Sequence, residues 1–179
     1  MEDMEILRQM IKETARVEIE SHYDKKKVVL FEPQSPGLFI EICRLPPDAL
    51  VVRVDAFLSP DGIFKGSQGE CKRADYAIIS SEKKRILYIE MKKTKDKWHD
   101  IVKQLMGAEC FVKYCQEIGR LFWKTPQFLQ GYEHRFVSIG HIHISKSGTK
   151  ITKIAPINDS PERALKIDWS NRLQFKQLG

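Results

Sequence analysis

The stretch from residue 71 to residue 115 constrains this chain more than any other. Two apolar runs, residues 74–80 (ADYAIIS) and 85–91 (RILYIEM), are separated by the charged quartet Ser81, Glu82, Lys83 and Lys84. Both runs are short and rich in β-branched and aromatic residues, which predicts the two strands of a hairpin. A lysine-rich loop follows. Then Ile101, Leu105, Ala108, Phe111, Val112 and Cys115 recur at helical spacing, which predicts a long amphipathic helix reaching about residue 118. Asp96 suits its N-cap and Gly119 its C-terminal stop.

The flanking sequence supplies elements for the hairpin to pack against. Residues 4–22 read as a helix, with Ile6, Leu7, Met10, Ile11, Thr14, Val17 and Glu18 on one broad face. Three β-like runs follow at residues 28–31, 37–43 and 50–58, bounded by Pro33, Gly37, Pro46, Pro47, Pro60 and Gly62. Residues 64–73 carry Gly66 and Gly69 and read as a loop feeding the strand that holds Asp75. Beyond the long helix, residues 135–145 predict a strand and residues 150–157 another. Ser160 and Pro161 look like a helix start, and the tail after Asn171 is apolar enough to pack on the domain. With no internal repeat and no linker, residues 1–179 are expected to form one α/β domain.

Composition narrows the class of partner. At 42% hydrophobic and 30% charged residues the chain is an ordinary globular one. No apolar run approaches the ~18 residues of a membrane span. The start, MEDMEILRQMIKE, is too acidic for a signal peptide. Cys43, Cys71, Cys110 and Cys115 form no CxxC pair and are expected to be reduced thiols of a cytoplasmic protein. The net charge of +6 favours a polyanion. Lysines bunch at 25–27, at 83–84 and at Lys92, Lys93, Lys95 and Lys97. The last group lies beside two acids, where Lys93, Lys95 and Lys97 can hold phosphates without reading base sequence.

Those acids give the hairpin its chemistry. Asp75 opens the first strand, and Glu90-Met91-Lys92 closes the second. The strand period of two puts Glu90 and Lys92 on one face, while Met91 points to the other and leaves its carbonyl available. Two carboxylates and a carbonyl are enough for Mg2+ or Mn2+, which keep several waters. Such a cation neutralises a phosphodiester and lowers the pKa of a bound water. Lys92 can position or deprotonate that water, or stabilise the developing charge.

This arrangement resembles the PD-(D/E)xK nuclease superfamily, over roughly residues 71–115. The resemblance rests on Asp75 at the head of one strand, Glu90-x-Lys92 at the end of the next, and a helix directly after. It implies a restriction-endonuclease-like αβββαβ core, a mixed central sheet flanked by helices, with magnesium-dependent nuclease activity. Asp75 and Glu90 would be metal ligands and Lys92 catalytic. Some branches add a glutamine on the following helix, a placement Gln104 matches. Others use a glutamate of the first helix, for which Glu18 is the choice here. Ala74 stands where the family has proline, and Ala108 where a tyrosine often follows the glutamine. DNA is favoured over RNA by this resemblance, and a homodimer suits cutting of both strands.

Alternatives stand beside this reading. Glu-x-Lys occurs three times, at Glu70, Glu82 and Glu90, and Asp55 precedes Glu70 by the interval that separates Asp75 from Glu90. The later set is preferred because an apolar strand holds its acids better than a glycine-flanked loop. Gln104 can equally be a glutamine bonded to nearby backbone. His141 and His143 share a strand face, a spacing that suits zinc. Trp98, Trp123 and Phe128 can stack on bases or simply pack. The rival functions are a non-catalytic nucleic-acid-binding module and an interaction subunit of a larger complex.

Overall fold

The computed structural model describes residues 2–22, 25–33, 35, 37–93, 97–140 and 157–179. Its elements are α1 (Asp3–Met10), β1 (Ile19–His22), β2 (Lys25–Phe31), β3 (Phe39–Leu45), β4 (Leu50–Arg53), β5 (Tyr76–Ser80), β6 (Arg85–Lys92), α2 (Trp98–Phe122), β7 (Glu133–Gly140), β8 (Leu165–Asp168) and β9 (Arg172–Gln174). They build a mixed α/β fold with two mixed sheets. One is five-stranded in the order β4-β5-β6-β7-β8, antiparallel up to β6 and parallel from β6 to β8. The other runs β1-β2-β3-β9, with only the β3–β9 pair parallel.

The five-stranded sheet is the middle layer. On one face, Ala77, Ile79, Ile86, Tyr88 and Phe136 pack against Ile6 and Leu7 of α1 and Leu105, Ala108 and Val112 of α2. On the other, Ile78, Leu87, Ile89, Met91, Val137 and Ile139 meet Val28, Leu30, Ile40 and Ile42 of the smaller sheet. The expected central sheet is therefore covered by helices on one side only, with a second sheet on the other. All five residues of β5 are buried. That explains why the hairpin strands are apolar at nearly every position rather than at alternate ones.

Several predicted strand ends shift by two or three residues, β2 starting at Lys25 and β3 running Phe39–Leu45, and three larger departures have a physical reason. The first helix stops at Met10 instead of reaching residue 22. Arg16 turns back to donate from Nε to the carbonyl of Ile11 at 2.9 Å, and the chain then enters β1. Val17 and Ile19 are half-buried while Glu18 and Glu20 are exposed, so the alternation there has period two. The 50–58 run ends as a strand at Arg53, because the amide of Val54 turns to the carbonyl of Asp75 at 2.8 Å. Gly119 lies inside α2, which continues to Phe122. A Cβ at Gly119 would fall 2.2 Å from Cδ1 of Phe128, so this glycine makes room for a buried ring rather than ending the helix. The proposed Asp96 cap, residues 141–145 of the predicted strand and residues 150–156 lie outside the described residues. The helix start expected at Ser160 is one 3-10 turn, Pro161–Arg163. The tail packs as expected, with Leu173, Phe175 and Leu178 buried.

Candidate active site

The β5–β6 register sets the site. Tyr76 pairs with Ile89, so the next step of the ladder brings Asp75 opposite Glu90. Ala77 and Tyr88 lie on the helical face, and the period of two places Asp75 and Glu90 there as well. Instead of continuing the ladder, Asp75 takes its place with a side chain: Oδ2 accepts the amide of Met91 at 2.8 Å. N–H and C=O of one strand residue lie on the same edge, so the Met91 carbonyl also faces the Asp75 side.

Three contacts hold Asp75 there. Its own carbonyl accepts the amide of Val54. The loop that leads to it crosses α2 at Gly107, where a Cβ would sit 1.7 Å from the carbonyl oxygen of Lys72. Only glycine allows that approach. The ion pair between Lys72 and Asp100 fastens the same loop to the start of α2.

Burial decides the electrostatics. Glu90 is fully buried and Asp75 is 9% exposed. Lys92 Nζ lies 3.0 Å from Oε1 of Glu90, while Oε2 has no hydrogen-bond partner among the described residues. Loss of hydration pushes the Glu90 carboxyl well above the usual carboxylate range. The nearby Asp75 charge adds to this, and Lys92 opposes it. Burial likewise raises Asp75 to about 7, against the pull of the Met91 amide and Lys92; Asp55 and Glu32 push it further up.

A divalent cation fits this donor set. Two buried carboxylates beside a single lysine carry, when ionised, more negative charge than Lys92 balances, and hard cations take oxygen ligands. Among the described residues no three Asp, Glu, His or Cys side chains gather into a complete metal cage. Mg2+ does not need one, because one or two carboxylates, a carbonyl and water satisfy it.

The remaining predicted residues fall in different places. Gln104 is half-buried on α2, between Ile101 and Ala108 of the buried stripe. Glu18 is exposed on the extended segment before β1, so the first helix does not carry it. Lys93 and Lys97 are exposed on the two sides of the β6–α2 connection, while Lys95 lies outside the described residues, as do His141 and His143. The earlier triplet is structural. Glu70 closes its own loop by accepting the amides of Gly66 and Gln68, and its own amide, with those of Gln68 and Gly66, lowers its pKa against the effect of burial. Glu82 lies in the hairpin turn. Phe128 belongs to the helix-side core, and Trp98 and Trp123 pack half-buried against that core.

Sequence reading missed three neighbours. Ser138 pairs with Glu90 in the β6–β7 register and is buried. Lys166 pairs with Ser138 from β8 and sets its ammonium 3.7 Å from the centroid of Trp98. The row Asp75, Glu90, Ser138, Lys166 therefore crosses the sheet beside the start of α2. Glu32, just past β2, is a third buried acid in the neighbourhood. The inward period of Val28 and Leu30 continues to Glu32, one residue past the predicted end of that strand, a signal that was present in the sequence.

Comparison of the chain with models of protein families, with curated proteins and with solved structures finds no match. Among the described residues no helix is long and apolar enough to cross a membrane.

Proposed function

We propose that this protein is a nuclease of the PD-(D/E)xK kind, hydrolysing phosphodiester bonds with Mg2+ or Mn2+. One observation carries the reading: two buried carboxylates, Asp75 and Glu90, face each other across a strand end beside a single lysine, Lys92. Two buried carboxylates that share one lysine cost stability when both are ionised and no further cation is present.

Asp75, Glu90 and the Met91 carbonyl would hold the cation, which when bound supplies charge neutralisation and a water of lowered pKa. Lys92, 12% exposed at its side chain, is placed to take a proton from a nucleophilic water or to stabilise charge developing on a phosphoryl oxygen. Gln104 supports the site from α2. Lys93 and Lys97 receive the flanking phosphates. DNA is the preferred substrate, and a homodimer and a cytoplasmic setting agree with the reading; the four free thiols suit a reducing compartment.

The test is cleavage of supercoiled, linear and single-stranded substrates by the purified protein with Mg2+ or Mn2+. Glu90→Ala and Lys92→Ala are expected to abolish cleavage while retaining the far-UV circular dichroism of the parent. Cleavage that persists in both variants overturns the proposal. Retained nucleic-acid binding with no cleavage under any metal leaves the non-catalytic binding module as the correct reading.

A further inference from the structure

The smaller sheet has a second surface that this function does not use. Its inner face is closed: Val28, Leu30, Ile40 and Ile42 are fully buried against the central sheet. On the outer face the register sets Lys27 beside Cys43, Val29 beside Glu41 and Phe31 beside Phe39. Phe31 and Phe39 are 54% and 42% exposed, with ring centroids 6.2 Å apart. Two neighbouring phenylalanines presented to water on a sheet are unusual for a face with no occupant.

The other end of this face is basic. Lys25, Lys26, Lys27, Arg44 and Arg172 surround a cleft of about 560 Å³ whose one acidic wall is Glu41. Glu41 is already occupied by Lys27 at 2.7 Å and Arg172 at 3.2 Å, and Glu20 of β1 is held by Lys27 at 3.2 Å. Lys25 and Arg44 have no carboxylate partner among the described residues. Arg44 is the extra residue of a β-bulge, since Lys26 pairs with Leu45 and Lys27 with Cys43. Its φ is +58°, a conformation that glycine takes far more readily. Bulges re-aim side chains, and here an arginine occupies the position where glycine would relieve the backbone.

We propose that this outer face binds single-stranded nucleic acid. Bases stack on Phe31 and Phe39, and the backbone runs along β2 to the Lys25–Lys27 and Arg44 cleft. From Phe31 to Lys27 the strand rises about 13 Å, a length suited to the shorter end of the ~4–16-nucleotide sites of sheet-based binders. Exposed aromatic rings combined with a basic groove fit a single strand, because duplex bases have no face free for stacking. The aromatic end also borders the strand ends near the acids: the Tyr76 hydroxyl donates to the Phe31 carbonyl at 2.6 Å, and Phe31 lines a cleft with Arg53 and Asp55. A strand continuing from this face into the active site rests on the nuclease reading. The binding face itself does not.

The experiment is fluorescence anisotropy on the full chain in EDTA, which silences cleavage so that binding is read alone. The probes are oligo(dT), oligo(U) and a duplex of equal length. Both single strands are expected to bind at least ~10-fold more tightly than the duplex. Phe31→Leu and Phe39→Leu should each weaken binding by roughly 5-fold or more, whereas Phe31→Tyr, which keeps the ring, should retain it. Lys25→Ala with Arg44→Ala should lower the slope of log K against log salt by about 1.4. Lys83→Ala, in the hairpin turn, should change nothing. Duplex affinity equal to that of single strands, or parental affinity in both leucine variants, overturns the proposal. Equal binding of an acidic polypeptide, insensitive to both phenylalanines, assigns the face to a protein partner and also overturns it.

Discussion

Replacing Asp75 by asparagine isolates the cost of holding a carboxylate in this site. The folded protein keeps a proton on Asp75 up to a pH of about 7, while the unfolded chain releases it near 3.8. Folding therefore takes up a proton between these values, and metal-free stability must fall as pH rises through that window. Over the about two pH units from 5 to 7, at 1.36 kcal/mol per unit, the loss is on the order of 3 kcal/mol. Asparagine keeps an acceptor for the Met91 amide and cannot ionise, so Asp75→Asn escapes the loss. It also removes the charge that raises Glu90, which acts in the same direction. Urea unfolding in EDTA at pH 5 and pH 8 measures the difference. The variant should gain about 3 kcal/mol on the parent between the two, or roughly 6–12 °C in melting temperature for a chain of this size. Mg2+ at about 100 times its Kd should return about 2.7 kcal/mol to the parent at pH 8 and much less to the variant. Stability profiles of parent and variant that run parallel from pH 5 to 8 would refute the burial argument.

Three further outcomes follow from named contacts. Gly107→Ala should destabilise by about 2 kcal/mol despite alanine's better helix propensity, because its Cβ meets the Lys72 carbonyl; a urea melt showing a more stable variant would contradict this. Arg44→Gly should raise stability by about 1 kcal/mol through relief of the left-handed backbone, while the anisotropy assay shows weaker single-strand binding. Glu70→Ala should leave plasmid nicking intact and speed proteolysis of the 64–73 loop, whose amides Glu70 holds; loss of nicking in Glu70→Ala with activity kept in Glu90→Ala would move the site to the earlier triplet.

The hairpin and long helix were legible because their signals are local. An apolar strand ending in Glu90-Met91-Lys92, a four-residue charged turn and a 3.6-period stripe each depend on residues close in sequence. Misreadings arose where two periods overlapped or where the deciding partner was distant. Val17 satisfies a helical stripe as well as a strand, and only distant partners settle it: its amide donates to the carbonyl of Val51, and Ile19 beyond it pairs with Val28 of β2. Gly119 looks like a helix stop until Phe128 is seen filling its face.

By itself the sequence determined which groups are available: Asp75, Glu90 and Lys92 on a strongly apolar hairpin, with lysines beside it. The period of two already put Glu90 and Lys92 on one side. It did not determine that Asp75 would meet Glu90, because strand register depends on the whole sheet and on the Val54 turn that catches Asp75. Nor did it reveal Glu32, Ser138 and Lys166, which reach the neighbourhood from strands far apart in the chain. The perturbed acidity of the site belongs to the tertiary structure alone: a carboxylate's pKa is set by the water it loses and the charges it gains, and both are fixed only when the layers close.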